Sequence, residues 1–79
     1  MALILYVSTF GSDDPTRATL AFGDALGAIE AGHRAMIALA GEATYLMKDS
    51  IAAAVQGVGW PTVGELLQRV IEHEIPIYV

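Results

Sequence analysis

The chain has 79 residues and a formal net charge of −5, with 54% apolar and 16% charged residues. Its four basic residues, Arg17, Arg34, Lys48 and Arg69, are scattered singly, so no basic patch is available for nucleic acid. No apolar run reaches the roughly 18 residues of a membrane span, no basic segment opens a signal peptide, and the lack of cysteine excludes disulfides, thiolate metal sites and cysteine nucleophiles within these residues.

That length sets a single domain, residues 1–79. Folding at this size hides only about 60% of the surface of the unfolded chain. The apolar excess therefore points to self-association or to a longer parent chain. The default location is cytoplasmic.

Leu3 to Val7 is five apolar residues without polar alternation, the pattern of a strand buried on both faces. The first strand is expected over Ala2–Ser8. Ser8 to Asp13 is a loop by composition. Asp14-Pro15 is a helix start: the carboxylate can cap free N–H groups and the proline is already set at helical φ. The first helix is expected over Pro15–Ala31, with Ala18, Phe22, Ala25, Leu26 and Ile29 at helical spacing and Gly32 as its C-cap. Gly23 and Gly27 inside it each cost about 1 kcal/mol against alanine, which suggests a close approach to the sheet or to a partner.

A second unalternating strand is expected over Ala35–Ala40. A short helix follows over Glu42–Lys48, and a further turn over Ile51–Gln56. Gly57 to Pro61 is a loop. Thr62-Val63-Gly64-Glu65 is a capping box. The third helix runs from there to about Glu74, with Val63, Leu66, Leu67, Val70 and Ile71 as its apolar stripe. Ile75–Val79 reads as a third strand, with Pro76 tolerated near its start.

The order β-α-β-α-α-β implies an α/β fold with a parallel sheet. The expected arrangement is three-layered and flavodoxin-like, in strand order 2-1-3. In such sheets ligands lie at the carboxyl ends of the strands, at the switch point. That places a crevice between the ends of strands one and three, flanked by Thr9, Phe10, Asp13, Asp14 and Arg17. The free N–H groups of the helix start there could receive an anion. No nucleotide-binding glycine motif is present, and Asp13-Asp14 lacks the partners of a metal or phosphoacceptor site.

His33 and His73 fall at helix-to-strand corners on the opposite side and are read as structural. Lys48 is expected to pair on the surface with Glu42 or Asp49. Trp60 is expected to cover a pocket or sit in a subunit interface, and Tyr45 and Tyr78 are read as packing residues. No nucleophile–base pair, metal cluster or cofactor motif is evident, so no catalytic residue is assigned, and the chemistry alone implies a small α/β domain with an empty switch-point crevice.

The segment from Val7 to Ala18, VSTFGSDDPTRA, resembles the opening of the DsrE/DsrF-like family. Gly41-Glu42-Ala43, Leu46 to Asp49, the Trp60 to Leu67 start of the third helix and Ile75 to Val79 are similar as well. The resemblance covers the whole chain and is most specific at Thr9, Asp13, Asp14, Pro15 and Arg17. It implies a flavodoxin-like scaffold that forms homo-oligomers. It also implies intracellular sulfur relay with partner proteins, in which a cysteine just after the third strand carries a persulfide. That position lies beyond Val79, so the resemblance implies that these residues are the N-terminal two-thirds of the family domain and lack its sulfur-carrying residue. It carries over Thr9, Asp13, Asp14 and Arg17 as the loop flanking the family's pocket. The other reading is a non-catalytic oligomeric module that binds a small anion or nucleotide.

Overall fold

The computed structural model describes residues 2–79. Three parallel strands, β1 (Leu3–Ser8), β2 (Arg34–Leu39) and β3 (Ile77–Tyr78), alternate with helices α1 (Pro15–Glu30), α2 (Asp49–Ala52) and α3 (Val63–Glu72). A 3₁₀ segment, Gly41–Met47, stands where a short α-helix is expected, and α2 is shorter and earlier than the expected turn.

Capping sets the helix limits. The Asp14 carboxylate accepts the Arg17 N–H at 3.1 Å, and Pro15 opens α1. The Thr62 hydroxyl accepts the Glu65 N–H at 3.3 Å, while the Glu65 side chain is exposed. Both long helices end in the same paired motif. Gly32 N–H donates to the Ile29 carbonyl and His33 N–H to that of Ala28; Glu74 N–H donates to the Ile71 carbonyl and Ile75 N–H to that of Val70. The motif needs a left-handed residue. At α1 this is Gly32 (φ 86°); at α3 it is Glu74 (φ 56°), whose Cβ makes the conformation unfavourable.

The strand order is β1-β2-β3, with β2 in the centre, and not 2-1-3. Leu3 pairs with Arg34 and Ser8 with Leu39, while Ile37 pairs with Ile77. A chain progressing one way across the sheet places both crossover helices on one face. α1 and α3 accordingly pack on each other, and their stripes join one core. Phe22, Ile37, Leu46, Val63 and Val70 lie at its centre, fully buried. The expected order would put α1 and α3 on opposite faces and divide this small apolar volume into two thin layers. One shared core buries more per residue.

The sheet is therefore covered on one side only, and the expected third layer is not formed among the described residues. Ile4, Tyr6, Ala35, Ile37 and Ile77 turn toward the helices. Leu3, Leu5 and Val7 turn away and remain 59%, 54% and 61% exposed. Alternation in burial is real in β1, but it is invisible in the sequence because both faces carry apolar residues. Ile71, expected in the apolar stripe of α3, is also exposed.

Two glycines mark close approaches. A Cβ on Gly23 would lie 2.5 Å from Cζ3 of Trp60, so the indole rests directly on the α1 backbone. A Cβ on Gly57 would meet the buried Thr19 hydroxyl at 2.5 Å and Thr16 Cα at 3.0 Å. Thr16 and Thr19 thus hold the loop before α3: the Thr16 hydroxyl accepts the Val58 N–H, and Thr19 donates to the Thr16 carbonyl.

Candidate functional site

The one-way progression of the sheet removes the switch point. Strands one and three are not neighbours, since β2 lies between them, so the crevice expected between their ends does not exist in this arrangement. Above the neighbouring ends of β1 and β2 the loops pack on each other. A Cβ on Gly11 would lie 2.5 Å from the Glu42 carbonyl oxygen, which seats the β1–α1 loop against the start of the 3₁₀ segment. Ala40 N–H also donates to the Ser8 carbonyl.

Three of the five predicted residues, Thr9, Phe10 and Arg17, lie on one cleft beside β1 rather than between strands. A cleft of about 280 Å³ runs between the free edge of β1 and the flank of α1, lined by Tyr6, Thr9, Phe10, Arg17, Leu20 and Asp24 among others. Thr9, Phe10 and Arg17 are on its wall; Asp13 and Asp14 are not. The two aspartates act on the backbone instead. Asp13 accepts the Gly11 N–H at 2.7 Å, and Asp14 caps α1. Asp14 also meets Arg17, with Oδ2 at 3.4 Å from Nε, and the Arg17 guanidinium lies 5.1 Å from the centre of the Phe10 ring. These two contacts fix the guanidinium near the mouth of the cleft by a cation–π contact and a solvent-screened ion pair.

Tyr6, Leu20 and Asp24 were not singled out from the sequence. A signal for the α1 wall is present: Arg17, Leu20, Ala21 and Asp24 recur at i, i+3, i+4 and i+7, a second stripe beside the core stripe. Two apolar members make it look like the edge of the core.

The remaining candidates have local roles. His33 accepts the Ala2 N–H on Nδ1 at 2.9 Å, tying the start of β1 to the α1–β2 corner. His73 is the exposed C-cap of α3. Lys48 makes no ion pair with Glu42 or Asp49; among the described residues the ion pair present is Arg17–Asp14. Trp60 is half-buried and lines a groove of about 200 Å³ with Gly23, Gly27, Leu66 and Arg69. Tyr45 and Tyr78 are exposed rather than packed. Among the described residues no three His, Asp or Glu side chains converge, and no helix is long and apolar enough to cross a membrane.

Comparison with family models, curated proteins and solved structures returns no match to the chain. What the cleft offers chemically is an exposed guanidinium, a hydroxyl and an aromatic ring, with Asp24 two turns along the same helix face as Arg17. That set can hold an anion. It contains no nucleophile next to a base.

Proposed function

We propose that this protein is a non-catalytic binding module that takes a small anion at Arg17, in the cleft beside β1. The observation that carries this reading is the state of Arg17. Its Nε contact with Asp14 and its place over Phe10 hold the guanidinium, yet its side chain is 64% exposed. An Nε contact uses one of five donors, so a bidentate anion can still be bound. Asp24 on the same cleft disfavours extended polyanions, so a compact anion fits better than a nucleotide.

On the DsrE/DsrF-like reading, this module serves intracellular sulfur relay in the cytoplasm as an oligomer with partner proteins. The anion is then a reduced sulfur species. The persulfide is carried on a cysteine that these 79 residues do not supply. Support for that part comes from the motif around Thr9, Asp13, Asp14, Pro15 and Arg17.

Titration of ¹⁵N-labelled protein with thiosulfate, phosphate and AMP tests both parts. Saturable amide shifts at Thr9, Phe10 and Arg17, weakened at least about tenfold by Arg17→Gln, are expected from the loss of a charge-assisted bidentate contact. Preference for thiosulfate favours sulfur relay, and preference for AMP favours the nucleotide module. Shifts that do not saturate, or that Arg17→Gln leaves unchanged, refute the site.

A further inference from the structure

A third cavity, of about 320 Å³, lies at the other end of the sheet, where the helices hand over to β2 and β3. Leu3, Arg34, Met36, His73, Glu74 and Tyr78 contribute to its wall. It shares no residue with the cleft at Arg17. Its composition differs from that of a plain apolar face, because opposite charges stand on two different elements. Arg34 is the first residue of β2, exposed, its position fixed by its N–H bond to the Ala2 carbonyl. Glu74 is held by the corner that ends α3, through its N–H bond to the Ile71 carbonyl. The two side chains do not neutralise each other: among the described residues the ion pair within 4.0 Å is Arg17–Asp14.

Glu74 also stands where its own backbone is unfavourable. At φ 56° a glycine is conformationally preferred, as Gly32 shows at the equivalent place after α1. A strained, non-glycine residue at the rim of a cavity directs attention to its side chain. Apart from His73, beside Glu74, the other side chains on the wall are apolar or aromatic, Leu3, Met36 and Tyr78 among them. The register places Leu3 beside Arg34 and Leu5 beside Met36 on the uncovered face, where Leu3 and Tyr78 are more than half exposed.

A ligand that satisfies all of this carries one negative charge, one positive charge and an apolar body. We propose that this cavity binds a free apolar α-amino acid, with its carboxylate on Arg34, its ammonium on Glu74 and its side chain over Leu3, Met36 and Tyr78. The site is independent of the anion cleft and goes beyond the function proposed for it.

Calorimetry or amide shifts on the 79-residue protein test this with three probes of matched shape. These are leucine, 4-methylpentanoate, which lacks the ammonium, and isoamylamine, which lacks the carboxylate. Leucine is expected to bind saturably, and each truncated analogue at least about tenfold more weakly, as for loss of one charged contact. Arg34→Gln and Glu74→Gln are each expected to weaken leucine at least about tenfold, with wild-type circular dichroism, while Lys48→Gln, outside both cavities, leaves it unchanged. Glu74→Gly separates fold from site: it is expected to raise the melting temperature by about 4–8 °C and to lose leucine. Absence of saturable leucine binding, equal binding of the three probes, or full affinity in Glu74→Gly overturns the proposal.

Discussion

Gly23→Ala tests the packing of Trp60 against α1. An alanine in the interior of a helix is favoured over glycine by about 1 kcal/mol. At Gly23 the new Cβ would lie 2.5 Å from Cζ3 and 2.6 Å from Cη2 of the indole, inside any real contact distance. The α1 backbone is fixed by its core face, so the ring must leave. Displacing a half-buried tryptophan forfeits about 1.5–3 kcal/mol of apolar burial. The net expectation is a loss of about 1 kcal/mol or more, seen as a lower urea midpoint. Gly27→Ala, one turn along the same helix, has no atom within 4 Å of its Cβ and is expected to gain about 1 kcal/mol. The background decides the sign. In Trp60→Ala the obstacle is gone, and Gly23→Ala should then gain about 1 kcal/mol, giving a coupling of about 2 kcal/mol. Far-ultraviolet circular dichroism follows all four proteins. Trp60 is the sole tryptophan, so a red shift of its emission in Gly23→Ala reports its release directly. Equal stabilisation by Gly23→Ala in both backgrounds would refute the contact.

Two further perturbations probe the fold. Gly57→Ala places a Cβ against the fully buried Thr19 hydroxyl and the Thr16 backbone, neither of which can yield freely. It is expected to cost about 1–3 kcal/mol by overpacking, measured as a melting temperature lower by roughly 4–8 °C per kcal/mol, and a wild-type value would show that the loop does not seat on α1. Leu5→Thr changes a side chain on the uncovered face of the sheet and is expected to stay within about 0.5 kcal/mol of wild type. Ile37→Thr, fully buried on the other face, should cost several times more by leaving a hydroxyl in an apolar core. Similar large losses at both positions would mean that both faces are covered.

The element types were legible in the sequence because each rests on a local signal. Asp14-Pro15 starts α1 and Thr62 caps α3, as the hydrogen bonds of both residues show. Gly32 ends α1 with the positive φ its position suggests. The end of α3 was less legible, since the left-handed residue there is Glu74 and not glycine. Strand order had no local signal. It follows from whether the stripes of α1 and α3 meet, which depends on packing across about 40 residues of sequence. The apolar run Leu3 to Val7 misled for a related reason. Lack of alternation reads as two-sided burial, whereas Leu3, Leu5 and Val7 are apolar and exposed. Thr9, Phe10 and Arg17, which line the cleft beside β1, are legible as a group because a loop before a helix start is recognisable. Asp24 was missed because its neighbours on the flank, Leu20 and Ala21, look like core residues.

Strand order also determines where a ligand can sit. In a doubly wound sheet, neighbouring loops diverge at the switch point and leave an opening above the strand ends. Here the chain moves one way, so successive loops converge. Gly11 packs on the Glu42 backbone, which joins the loops after β1 and β2. Among the described residues, open space is left beside β1, which has no strand on its outer side there, and at the lower rim, where the α3 corner turns into the two-residue β3. Each opening is bordered by a basic residue, Arg17 in one and Arg34 in the other, in a chain that has only four and is acidic overall. A guanidinium at the rim of a cleft in an acidic protein provides local attraction for an anion against a repulsive mean field. Selectivity should therefore fall steeply with ionic strength at Arg17, where the side chain is solvent-exposed, and less steeply for a zwitterion that meets both charges at Arg34 and Glu74.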